Sequence, residues 1–301
     1  MPQAKFKPLL VLALLSSGAC SDDNANDTIT DATTAQVDAK VPDARIPDSE
    51  IAATIGERCT PGNRAGLIVV SGSGARRDVW ATLSDKASPL YGDAFLSDAS
   101  CDFHKFTPTA PCSPCSVGEI CQMNGVCTPE PRPASDGKLV LRSGGEEQSF
   151  ILDPMLGTTY GEITLTGAML SMKLTGLGQT ITLTELAVPD DLASVTGTIT
   201  GSSSTPQAVD ITWKDPQLST SVFTHIPLNH HASGPIFTEC AVGSSAEALH
   251  VDGPMLQPLA VITGLEFQGI EHVRFAAADT SIGCIEFRLQ RRQFVNLVPA
   301  L

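Results

Sequence analysis

Three histidines stand close together in THIPLNHH, Thr224 to His231. Imidazole nitrogens ligate zinc and related ions, and in an extended strand His225 and His231 face the same way because side chains alternate with period two. Glu239, His250 and Asp252 come later in the chain and could complete a ligand set, so His225, His230 and His231 are the candidate metal residues. Pro227 and Asn229 interrupt the strand, however, and a polar loop that happens to carry histidines is the plainer account.

A nucleophile is suggested by Gly72-Ser73-Gly74, where glycines flank a serine. The hydrolase elbow needs G-x-S-x-G between a strand and a helix. The next residues, ARRDVWATL, read as a returning strand, so a hairpin turn is favoured, and without a Lys-Ser/Thr ending it is no phosphate loop either. The acid pairs Asp22-Asp23 and Asp190-Asp191 lack the further oxygens that calcium requires. Arg291-Arg292 could hold a sulfated or carboxylated glycan, but a polar strand end before the apolar tail FVNLVPAL explains it as well. Trp80, Trp213, Tyr91 and Tyr160 are scattered, and no stacking platform for a sugar can be read from them. With no complete catalytic constellation, the sequence assigns no catalytic residue and implies no cofactor.

The cysteines say more. Of nine, Cys20 stands apart near the N-terminus, leaving Cys59, Cys101, Cys112, Cys115, Cys121, Cys127, Cys240 and Cys284, an even set that reads as a disulfide framework in an exported chain. Cys112, Cys115, Cys121 and Cys127 crowd into APCSPCSVGEICQMNGVC. Asn124-Gly125 is a two-residue hairpin signal, which would put Cys121 next to Cys127 rather than opposite it. Interleaved bonds Cys112–Cys121 and Cys115–Cys127 are therefore expected, as in small growth-factor-type repeats. A four-thiolate zinc site is the alternative. Cys59 and Cys101 bracket the preceding segment and are expected to close it, and Cys240 with Cys284 to join two later strands.

Cys20 ends a segment with Lys5 and Lys7, an apolar run PLLVLALL, and small residues Ser16 to Ala19. That is the shape of a secretory signal, too short to span a bilayer. Ser17-Gly18-Ala19-Cys20 resembles the lipobox of bacterial lipoproteins, although Ser17 stands where an aliphatic residue is usual. The resemblance implies cleavage before Cys20, acylation of its thiol, and anchoring at the outer membrane, where Ser21 is compatible with sorting. Two or more acyl chains hold a protein stably where one does not. The stretch SDDNANDTITDATTAQVDAKVPDARIPDSE comes next, with no aromatic residue and few apolar ones, the composition of a solvated tether.

GLIVVSGSG, LSDKASPLYGDAFLSDASCDFHKF, the cysteine cluster and DITWKDP together resemble a family of uncharacterised myxobacterial surface lipoproteins. That resemblance spans most of the mature chain. It implies a place and an architecture and brings no activity.

Beyond Pro133 the apolar residues alternate: Leu139/Leu141, Ile163/Leu165, Ile181/Leu183, Val195/Ile199, Val209/Ile211/Trp213 and Ile285/Phe287/Leu289. Alternation means one buried and one wet face. The expected fold is mainly β, an antiparallel β-sandwich of immunoglobulin or jelly-roll type, with a small disulfide-rich module and a disordered N-terminal tether. The expected boundaries are a signal peptide at 1–19, an acidic tether at 20–54, a small β subdomain at 55–106, the cysteine module at 107–133, and the sandwich at 137–301 with Trp213 as a core anchor. A net charge of −14 argues against nucleic acid, whose phosphates need a basic footprint. The sequence thus reads as an envelope protein held to a membrane by its lipid, probing an unidentified protein or glycan ligand without catalysis. The alternative is an exported hydrolase or metal-binding protein using His225, His230 and His231.

Overall fold

A computed structural model describes residues 49–72, 74–88, 94–106, 114–122, 124–214, 220–228, 236–260 and 264–300. The signal peptide, Cys20, most of the tether, Ser73, Cys112, His230 and His231 lie outside the described residues.

The chain is mainly β. Its strands begin with β1 (Ser49–Ala52), β2 (Thr54–Ile55), β3 (Arg64–Ser71), β4 (Arg76–Leu83), β5 (Leu96–Ser97), β6 (Cys101–Lys105), β7 (Glu119–Cys121) and β8 (Cys127–Pro129). They continue with β9 (Lys138–Ser143), β10 (Glu146–Ile151), β11 (Thr158–Thr164), β12 (Met169–Gly176), β13 (Gln179–Ala187), β14 (Ala193–Ser202) and β15 (Thr205–Lys214). The last are β16 (Ser221–Pro227), β17 (Ile236–Gly243), β18 (Ala248–Asp252), β19 (Ile270–Thr280), β20 (Gly283–Gln293) and β21 (Leu297–Pro299).

A long central sheet runs β11-β4-β3-β20-β19-β16-β17-β6-β5, with β2 also on β19. Two smaller sheets, β1-β13-β12-β9-β10 and β18-β15-β14-β21, each enclose a core with it. Ala276, Ala278, Ile285, Phe287 and Leu289 of the central sheet pack with Leu139, Leu141, Leu174 and Leu183 in the first core. Val222, Ile226, Cys240 and Ile270 pack with Val209, Ile211 and Trp213 in the second. Strand register puts all of these central-sheet residues on one face, so both sandwiches share it. Burying Trp213 leaves its indole N–H in need of an acceptor, and the Ser244 carbonyl, 2.9 Å away, supplies it.

The sandwich is as the alternation implies, but its boundaries are wider. β3 and β4, from the segment expected as a subdomain of its own at 55–106, insert into the central sheet, with β3 parallel to β20. A two-stranded piece buries too little to stand alone, and here it covers the first core instead. The expected tether at 20–54 likewise ends early: β1 pairs parallel to β13, and β2 antiparallel to β19.

The described disulfides correct two expected pairings. Cys59 bonds Cys284, not Cys101, and Cys240 bonds Cys101, not Cys284. The reason is topological: β3 enters beside the start of β20, which brings Cys59 to Cys284, while Cys101 and Cys240 are direct cross-strand partners on β6 and β17. Cys115 bonds Cys127 as expected. Cys121 is also disulfide-bonded, and its expected partner Cys112 lies outside the described residues. Cys121 and Cys127 do face each other across β7 and β8, because the connection is wider than a two-residue turn, with Gln122 N–H donating to the Val126 carbonyl. Such a set of bonds belongs to a chain folded outside the reducing cytosol. Among the described residues no helix is long and apolar enough to cross a membrane.

Candidate functional site

The face of the central sheet opposite the two cores carries the chemistry. On β20, Ile285, Phe287 and Leu289 point into the first core, so Glu286, Arg288, Gln290 and Arg292 point the other way. Register sets beside them Glu271 and Phe275 of β19, Phe223 and His225 of β16, Glu239 of β17, Val69 of β3 and Trp80 of β4. A polar strand face would ordinarily be wet. Here Glu286 is 0% exposed, Glu239 5% and Arg288 6%.

The segment before β3 covers them. Arg58 donates to Glu239 Oε2 at 3.2 Å, and the Cys59 backbone N–H donates to Glu286 Oε2 at 2.8 Å. Arg288 bridges both acids, Nε to Glu286 Oε1 at 2.5 Å and Nη2 to Glu239 Oε1 at 3.3 Å. Arg64 Nη2 stands 3.4 Å from Glu286 and 3.7 Å from Glu239. The guanidiniums lie on aromatic rings: Arg288 is 4.6 Å from the Phe223 centroid and Arg58 4.7 Å from that of Phe275. Each such contact adds about 0.5–2 kcal/mol as the cation loses water.

Burial pushes the Glu239 carboxyl up, but the His225 hydrogen bond and the Arg288, Arg64 and Arg58 charges outweigh it and hold the group well below the usual carboxylate range. Glu271 goes the other way. Burial pushes it up, and Arg292 at 3.1 Å only partly offsets this, leaving Glu271 Oε2 buried with no hydrogen-bond partner.

Arg64, His225, Glu239, Glu271, Arg288 and Arg292 line a cleft of about 800 Å3, with Leu67, Val69, Trp80, Leu228 and Phe237 supplying apolar wall. The volume falls in the range of small-ligand sites, roughly 300–1,000 Å3.

The sequence-derived candidates disperse. His225 reaches the cleft, 3.5 Å from Glu239 and tilted against Phe237, whereas His230 and His231 lie outside the described residues. His250 and Asp252 sit on β18, in another sheet, where His250 pairs with both Asp252 and Asp210. Among the described residues no group of three or more His, Cys, Asp or Glu side chains is arranged to hold a metal ion. Ser73 lies outside the described residues, but β3 and β4 on either side of it pair antiparallel, and Gly72 and Gly74 both take positive φ in the connection. The strand–turn–helix context of a nucleophile elbow is therefore not formed. Arg291 and Arg292 point to opposite faces of β20. Arg291 binds Asp191 and the Pro189 carbonyl and Arg292 binds Glu271, so they cannot grip one anion together. Asp190 serves through its carbonyl, 2.6 Å from buried His272 Nδ1.

His250 is held by Asp210 at 2.6 Å and Asp252 at 2.9 Å, and these bonds raise its pKa. A raised imidazole stabilises the fold below the unfolded value of roughly 6.5, and the contribution is lost as pH rises through the folded value. NMR titration is expected to give a His250 midpoint above that value, and Asp210→Asn should lower it. An unmoved midpoint would refute the pairing.

No protein-family model matches the chain, and neither does any curated protein. One solved structure, described as "Structural basis for Dscam isoform specificity", is similar over 81% of this chain and 73% of that one, at 9% identity. Its TM-score of 0.12 is too low for the likeness to carry an argument.

Proposed function

We propose that this chain is an exported lipoprotein, acylated at Cys20 and held at the outer membrane, whose β head binds a small ligand in the outer-face cleft without transforming it. The cleft carries this reading: a preformed concavity, apolar on one side and charged on the other, on a rigid sheet. The N-terminal segment supports the anchor, since a basic start, apolar run and small-residue exit lead directly to Cys20.

A hydrolytic reading has one observation in its favour. Glu239 and Glu271 share the cleft and their acidities are pushed in opposite directions, the pattern of an acid–base pair. Yet both Glu239 oxygens are already engaged, Oε1 by Arg288 and His225 and Oε2 by Arg58 and Arg64. A carboxylate so saturated has no lone pair to offer water or substrate, so binding is the better account.

The test is a thermal-shift screen of the full chain against sugars, sugar acids, amino acids and nucleosides. A true ligand at a hundredfold excess over its Kd stabilises by about 2.7 kcal/mol. It should be recovered unaltered after prolonged incubation. Conversion of the bound compound would overturn the non-enzymatic reading, and palmitate label surviving Cys20→Ser would overturn the anchor.

A further inference from the structure

The polar atoms that the cleft leaves unpaired define its ligand. Arg64 Nε and Trp80 Nε1 are buried donors without acceptors, and both residues line the cleft. Glu271, 8% exposed, also lines it and has Oε2 unpaired. Burial raises its pKa, and Arg292 at 3.1 Å only partly offsets this. Buried donors left unmet are costly, so an occupant that satisfies them must bring acceptor oxygens.

Charge narrows the class. Among the side chains that line the cleft, Arg64, Arg288 and Arg292 outnumber Glu239 and Glu271, a positive excess in a chain of net charge −14. The occupant is therefore anionic.

The same sheet face carries a second aromatic residue beside Trp80. Tyr160 and Trp80 are cross-strand partners on β11 and β4, on the cleft face, with Tyr160 77% exposed at the sheet edge. Opposite positions on paired strands bring such rings within about 5 Å at Cβ. Two aromatic residues at paired positions beside an unmet donor suit a sugar ring, which lays apolar C–H groups on an aromatic face and carries oxygens around its edge.

We infer that the cleft binds an acidic saccharide, a polyhydroxylated ring bearing a carboxylate, with its ring against Tyr160 and Trp80 and its carboxylate at Arg64. This rests on the binding reading above and deepens it. A free sugar acid and a uronate unit of a polysaccharide present the same chemistry.

Isothermal titration of the full chain with galacturonate, trigalacturonate and galactose tests it. Galacturonate should bind about tenfold or more tighter than galactose, the worth of a charge-assisted Arg–carboxylate pair. Stronger binding of the trimer indicates a polysaccharide, and equal molar affinity a free acid. Arg64→Gln should abolish the preference for the acid, so that galacturonate binds no tighter than galactose. Tyr160→Ala, at an exposed position that the fold does not need, should weaken both sugars. Equal affinity for galactose and galacturonate, or a screen hit from another chemical class with no sugar bound, would overturn the inference and leave the binding reading standing. If nothing in the screen binds, both fall.

Discussion

Glu239→Leu is expected to cost about 3–5 kcal/mol, the usual price of removing one partner from a buried ion pair. Glu239 faces Arg288, Arg58 and Arg64, and Arg288 is almost wholly buried. With Glu239 gone, Arg64 and Arg288 are left with Glu286 alone, Arg58 loses its ion pair, and the repulsion among the three guanidiniums is less offset. A loss of that size is a large part of a typical 5–15 kcal/mol of stability, so the urea midpoint should fall steeply. The double variant Glu239→Leu/Arg288→Met removes the orphaned cation as well, and Phe223 and Phe275 offer it an apolar bed. It should be more stable than Glu239→Leu alone. Equal stability of the single and double variants would mean that the pair is solvated and the cluster is not a buried network. The pH profile gives an independent check. A depressed carboxylate contributes stability above its unfolded pKa of about 4.3, and that contribution is lost as pH falls through the lower folded value. The wild-type chain should therefore lose stability in acid more steeply than the double variant.

The same strand shows what a sequence can and cannot declare. In GCIEFRLQRRQ the alternation of Ile285, Phe287 and Leu289 with polar residues correctly marks a strand with one buried face. It says nothing of the other face, because a wet polar face and a covered ionic one are written alike. What covers Glu286 and Arg288 is the Arg58–Cys59 segment, far away in the chain and without periodicity of its own. β19 failed to signal for the opposite reason. IEHVRFAAADT is buried on both faces, so its apolar residues run together and no period appears. Tyr160 and Trp80 look scattered because their proximity is a matter of β11–β4 register, which local pattern does not encode. Cysteine number announced a disulfide framework, but pairing obeyed the parallel β3–β20 contact, which no spacing rule anticipates.

Cys59→Ser/Cys284→Ser should destabilise the chain more than Cys101→Ser/Cys240→Ser. Chain entropy alone barely separates them: the bonds span 225 and 139 residues, and closure entropy grows only with the logarithm of loop length, giving roughly 5 kcal/mol for either as an upper value. The difference lies in what each bond holds. Cys101 and Cys240 are already cross-strand partners inside the second core, so register and packing keep their strands together after reduction. Cys59 has no such ladder. Its bond clamps the segment that lays Arg58 on Phe275 and directs the Cys59 N–H at fully buried Glu286. Releasing it loosens that cover, lets water reach Arg288 and Glu286, and opens one wall of the cleft. Thermal unfolding of the two double variants should show the larger drop for Cys59/Cys284. Hydrogen exchange should rise at 54–63 and along β20 in that variant only. If the two variants lose equal stability with no local rise in exchange, the cover is held by the ion pairs themselves and the disulfide merely records their proximity.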